Sequence, residues 1–153
     1  MPKLIESTQI YIEKDNCFLM LYRNKKKNDM NGGKWIGVGG KIEANETPLE
    51  GIIREVKEET GLNLKSAKLR AKLYFYNDNY GEVIYQFTSN DFDGELIECN
   101  EGTLEWVSKE KVLSLPTWEG DKYFLEPLLN NSAYFEMSLI YKNDKLVEVK
   151  RIL

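Results

Sequence analysis

Glu55, Glu58 and Glu59 stand at i, i+3 and i+4. In a helix turning about 100° per residue, that spacing stacks three carboxylates on one side. The arrangement is unfavourable alone, since each like-charge pair costs an open helix roughly 0.2–0.5 kcal/mol. A hard divalent cation reverses the sign, because Mg²⁺ takes oxygen ligands in octahedral geometry. Taken alone, the cluster reads first as a solvated charged face with Arg54 and Lys57 as local partners. The chain has no histidine, which excludes histidine triads and histidine metal sites. Any general base is then a carboxylate, Lys, Tyr, Cys or metal-bound water. Cys17 and Cys99, the two cysteines, have no short metal-type spacing and read as reduced thiols of a cytoplasmic protein.

The element that must position these glutamates is a helix over residues 48–60. Thr47-Pro48-Leu49-Glu50 supplies an N-cap, a first-turn proline and the acid of a capping box, and Gly61 a left-handed stop. Leu49, Ile52, Ile53 and Val56 form its expected apolar face. Gly51 lies on the acidic side, leaving room for a ligand or loop. Around the helix, residues 8–12, 17–22, 35–38, 64–76, 82–88 and 104–107 read as strands. Residues 109–113 read as a helical turn and 121–129 as a helix. Residues 134–141 and 146–152 form a hairpin around Lys142-Asn143-Asp144-Lys145. This pattern predicts an α/β or α+β sandwich on a mixed sheet. With 153 residues, 42% of them hydrophobic, and no repeat or linker, the expectation is a single domain over 1–153.

The run from Gly40 to Leu62 matches every defined position of GX5EX7REUXEEXGU, with U aliphatic. It resembles the signature box of the Nudix hydrolase superfamily. The resemblance implies an α/β/α sandwich with a mixed sheet, here extended by the C-terminal hairpin. It also implies metal-assisted attack of water on a phosphorus atom, with Mg²⁺ as the cofactor and Mn²⁺ as a substitute. Carried across, Glu55, Glu58, Glu59 and the Gly40 carbonyl would hold the metal, Arg54 would orient a box carboxylate, and Glu46 would be structural. Phosphoryl transfer suits these residue types, because it needs charge neutralisation and alignment more than covalent help.

Outside the box, residues 5–130 resemble the MutT-type branch, nucleoside triphosphate pyrophosphohydrolases that include 8-oxo-dGTP diphosphatases. Trp35-Ile36-Gly37-Val38-Gly39-Gly40-Lys41 is similar to that branch's glycine-rich strand, with Lys41 and Arg23 as phosphate candidates. Glu98 and Glu101 precede Trp106, and Glu101 is favoured as metal ligand or base. Trp118 could stack on a base and Asp121 bond its edge, with Phe75 as floor; core packing, and helix capping for Asp121, are the plain alternatives. Ile36 and Gly120 depart from the polar residues of vertebrate oxidised-purine hydrolases.

The implied substrate is a small nucleotide: a triphosphate cut to monophosphate and pyrophosphate, with oxidised dGTP a candidate. A dinucleoside polyphosphate, nucleotide sugar or RNA 5′ end keeps the same chemistry. A ligand sensor without turnover is the reading from another class. A net charge of −4 disfavours nucleic acid, although Lys25-Lys26-Lys27 could form a local patch. No stretch approaches the roughly 18 apolar residues of a membrane span, and residues 1–15 lack a leader pattern. The assembly is expected to be a monomer or homodimer.

Overall fold

The computed structural model describes residues 3–153, so Met1 and Pro2 of the stretch read for a leader lie outside the described residues. Strands β1 (Ile5–Lys14) and β2 (Cys17–Tyr22) are joined through Asp15 and Asn16, both left-handed at φ 50° and 60°. That pair matches the twist a tight hairpin requires. There follow β3 (Trp35–Ile36), β4 (Val38–Lys41), helix α1 (Pro48–Thr60) and β5 (Asn63–Leu64). Then come β6 (Lys68–Asn77), β7 (Tyr80–Ser89), β8 (Phe92–Asp93) and β9 (Thr103–Ser108). Helices α2 (Lys109–Val112) and α3 (Asp121–Leu129) precede the closing hairpin of β10 (Phe135–Lys142) and β11 (Lys145–Arg151).

The main sheet runs β11-β10-β6-β7-β1-β2-β3, with β4 on β1 and β9 on β2. β1 is parallel to β7 and β10 to β6, while β6 and β7 are antiparallel, so the sheet is mixed as expected. Successive strand residues point to opposite faces, and both faces are apolar. Ile10, Ile12, Leu19, Val38 and Phe87 pack with Ile52 and Val56 of α1. Tyr11, Phe18, Met20, Leu73, Phe75 and Phe135 pack with Phe124, Leu125 and Leu128 of α3. One helix per face makes the α/β/α layering. The C-terminal hairpin widens the sheet through β10 rather than standing apart.

The structure corrects three details. The strand expected at residues 35–38 is broken at Gly37: Trp35 and Ile36 pair with β2, whereas Val38–Lys41 pairs with β1. A Cβ at Gly37 would lie 2.7 Å from the Ile10 carbonyl oxygen, so the chain crosses there only because the side chain is missing. The long strand at 64–76 is two elements, since β5 pairs with β8 in a separate two-stranded sheet. Of the four apolar residues expected on one face of α1, only Ile52 and Val56 are buried; Leu49 and Ile53 are 42% and 38% exposed. The buried stripe turns instead through Gly51, Thr60 and Glu59.

Candidate active site

Helix α1 begins as its sequence dictates. The Glu50 amide donates to Thr47 Oγ1 at 3.1 Å and the Thr47 amide to Glu50 Oε1 at 2.9 Å, closing the capping box. Gly61 ends it at φ 82°. Between these caps, Arg54 is the hub of the acidic residues. Its Nε and Nη2 grip both oxygens of Glu46 at 2.8 and 3.0 Å. Nη1 reaches Glu55 at 2.9 Å and Glu58 at 3.2 Å, and Nη2 also donates to the Lys41 carbonyl at 3.1 Å. The fork holds Glu46 well below the usual carboxylate range, at about 2. Because Arg54 draws Glu58 outward (its side chain 60% exposed), the three helix glutamates do not converge. Among the described residues no group of three acids stands ready to enclose a metal ion.

Glu59 is different. It is buried, and neither carboxylate oxygen has a hydrogen-bond donor. Burial raises its pKa strongly, and neighbouring Glu101 and Glu55 raise it further. The crowding of the two carboxylates raises the more buried Glu59 and holds Glu101 low, where Lys26 and Arg23 lie beside it. Lys26 pairs with Glu101 at 3.1 Å and Arg23 at 3.5 Å. Glu98, the other acid before Trp106, points away and pairs with Lys25 at 3.2 Å. The anticipated basic patch is thereby tied, at Lys25 and Lys26, to the acidic loop rather than left free.

Strand β4 separates this acidic corner from a cavity. A Cβ on Gly40 would lie 2.6 Å from Glu55 Oε1, so the glycine is what lets the carboxylate abut the strand. On Gly39 it would collide with the Thr8 carbonyl oxygen. The glycines thus seat β4 on β1 and against Glu55. The cavity, about 190 Å³, is lined by Gly39, Gly40, Lys41, Phe75, Trp118 and Asp121 among others, and Arg23 stands at it. Trp118 meets Phe75 edge-on with centroids 5.2 Å apart, its Nε1 donates to Asn31 Oδ1 at 2.8 Å, and Lys34 sits 4.4 Å over its ring. Asp121 is not the N-cap of α3; Gly120 is, with its amide donating to the Tyr141 hydroxyl at 2.7 Å. Burial pushes the Asp121 carboxyl up to about 8, against the Trp118 amide and Lys34, which lower it.

The NUDIX domain family model matches residues 7–128. The chain belongs to the Nudix family. This Nudix hydrolase is 26% identical over 127 residues to the oxidized purine nucleoside triphosphate hydrolase of Danio rerio, covering 82% of this chain and 81% of that one. It is 28% identical over 129 residues to the CTP pyrophosphohydrolase of Escherichia coli, covering 83% and 93%. Among solved structures, the mMutator MutT protein of Bacillus halodurans superposes with a TM-score of 0.87 at 27% identity, over 97% of each chain.

Within the Nudix fold, the structure gathers Gly40, Arg54, Glu55, Glu59 and Glu101 at one corner and Arg23, Lys41, Phe75, Trp118 and Asp121 around the cavity. Glu58 stands at the corner's rim. Sequence reasoning missed Asn31, which fixes Trp118, and Asp29, which holds Arg23 Nε at 2.7 Å. It also missed Glu82, which accepts from Tyr80 at 2.7 Å and from Ser7 at the cavity wall. Only the parallel pairing of β1 with β7 brings Ser7 to Glu82, and nothing in local spacing marks it.

Proposed function

We propose that this Nudix hydrolase cleaves a nucleoside triphosphate to the monophosphate and pyrophosphate, with a divalent cation, Mg²⁺ or Mn²⁺, at the acidic corner. The observation that carries the reading is contiguity. Gly40 belongs both to the wall of an aromatic cavity and to the seat of Glu55, so a base on one side of β4 leaves its phosphates at the carboxylates on the other.

The donor set fits a hard cation. Glu59 is buried with two unmatched oxygens beside Glu101 and Glu55, and such crowding of carboxylates is relieved by a divalent charge. Glu55, Glu59 and the Gly40 carbonyl would hold it, with Glu58, released from Arg54, completing the set. When bound, the cation neutralises phosphate charge and acidifies water. Arg54 keeps Glu46 and Glu55 in place, a positioning role. Glu101, already the low member of the pair, takes up the proton of the attacking water. Lys41 and Arg23 face the phosphates.

At about 190 Å³ the cavity suits one ring system rather than a whole nucleotide. Trp118 and Phe75 supply the aromatic surface. Asp121, neutral below about pH 8, offers a donor and an acceptor to a base edge, and Asn31 lines the same cavity. Oxidised purines such as 8-oxo-dGTP are the leading candidates. Pairing of Lys25 and Lys26 with glutamates counts against an RNA end.

The test is incubation with Mg²⁺ and a panel of nucleoside triphosphates, 8-oxo-dGTP, a dinucleoside polyphosphate and a nucleotide sugar, assaying pyrophosphate and orthophosphate separately. Pyrophosphate from a triphosphate, fastest for 8-oxo-dGTP, is expected. Turnover confined to the last two substrates overturns the triphosphate assignment, and no turnover of any member points to a ligand sensor.

A further inference from the structure

Arg70 lies apart from that site and has no part in the chemistry assigned to it. On β6, Leu69 faces Phe87 and Ala71 faces Gln86 of β7, so Arg70 is the extra residue of a β-bulge. Bulges re-aim a side chain, and here the result is a guanidinium turned inward, with Arg70 only 4% exposed. Its partners are neutral. Nη1 donates to Thr88 Oγ1 and Nη2 to the Ser132 carbonyl, both at 3.2 Å, while the buried Nε has no acceptor. Arg70 takes part in none of the ion pairs among the described residues. Arginine does not shed its proton to escape such burial, so an unpaired charge remains inside the fold.

The same residue lines a cavity of about 440 Å³, together with Lys68, Lys109, Glu13, Asn90 and Asn131. Lys109 is paired with Glu13. Arg70 and Lys68 are therefore left as two uncompensated positive charges facing one space, with the Asn90 and Asn131 amides at its edge. A dianion balances that charge where a single carboxylate does not, and the guanidinium fork matches two oxygens of a phosphate.

We propose that this cavity is a second binding site, for a small phosphate-class oxyanion seated on Arg70: inorganic phosphate, pyrophosphate or a phosphate monoester. Arg70 is five residues along β6 from Phe75, about 17 Å at strand rise, so the site is separate from the nucleotide cavity. Helix α3 borders both, with Asp121 at one cavity and Leu128 and Leu129 at the other.

The test is a Mg²⁺-free titration of the full chain with inorganic phosphate, followed by ¹H–¹⁵N NMR, with sodium chloride at matched ionic strength as control. Saturable shifts are expected at Thr88, Ser89, Asn90, Asn131 and the Arg70 side chain. Arg70→Gln should abolish them and Lys68→Ala should weaken binding several-fold, with nucleotide turnover unchanged in Lys68→Ala. Parallel titrations with pyrophosphate and a nucleoside monophosphate identify the occupant as the tightest binder. Shifts reproduced by chloride, or confined to residues 37–41 and 55–59, overturn the site, as does acetate binding equally well. Should Arg70→Gln fail to fold, unaltered phosphate affinity in Lys68→Ala overturns it.

Discussion

Arg54 touches Glu46, Glu55 and Glu58, lies within 3.2 Å of Glu43, and donates to the Lys41 carbonyl. A lysine keeps the charge but loses the fork. Arg54→Lys is therefore expected to lower kcat by roughly 10–100-fold, the usual cost of disturbing a group that orients ligands, while KM for nucleotide moves less. Steady-state kinetics at saturating Mg²⁺ checks this, and an unchanged kcat removes Arg54 from the positioning role. Glu59 poses the opposite case, a residue that weakens the empty fold. Its buried oxygens lack donors, so Glu59→Gln should stabilise the Mg²⁺-free fold on the order of 1–3 kcal/mol, read as a raised Tm. It should also cut turnover at least ~100-fold, since it removes a ligand charge. A variant that is both destabilised and active would sink the assignment.

At the scale of elements, the reach of the sequence differs between the helix and its surroundings. Thr47, Pro48, Glu50 and Gly61 fix α1 by local chemistry, so its bounds are legible residue by residue. Thr47→Ala should cost about 1 kcal/mol of stability, as lost N-caps do, with kcat unchanged because the cap lies about two helix turns before Arg54. Chemical denaturation checks the first part and assay the second. Facing was less legible. Periodicity assigned Leu49 and Ile53 to the core because it weighs apolarity alone, whereas β1 and β4 set which side of α1 is covered. Gly51 can face them because it is small: a Cβ there would meet Glu46 and Thr8 at 3.0 and 3.6 Å. The break at Gly37 and the separate β5 depend on partners distant in sequence, which spacing does not encode. Asn31 and Glu82 escaped notice for the same reason. Trp118 and Phe75 had been weighed as core or pocket, and the fold makes them both: each is buried and each lines the cavity.

For the whole molecule, the informative quantity is stability against pH, because Asp121 couples the cavity to the fold. It opens α3, where the helix N-terminus favours a carboxylate by about 0.3–1 kcal/mol. Burial overrides that and carries its pKa from 3.8 to about 8. Between those values the folded protein holds a proton that the unfolded chain has lost. Stability from this group is thus complete below about pH 4 and falls as pH rises through about 8, by at most ~1.4 kcal/mol per pH unit. Asp121→Asn keeps the shape and removes the titration. In Mg²⁺-free buffer the variant should match the wild type in Tm near pH 4, exceed it increasingly up to about pH 8, and keep a constant lead above that. A Tm difference independent of pH would mean that Asp121 is solvated or paired when charged. The same titration reaches function, because a base edge that needs the protonated acid as donor loses it above about pH 8. KM for 8-oxo-dGTP should then rise across that value in the wild type but stay flat in Asp121→Asn, whose amide donates at every pH. A parallel rise in both would place the pH dependence elsewhere, among the carboxylates of the acidic corner.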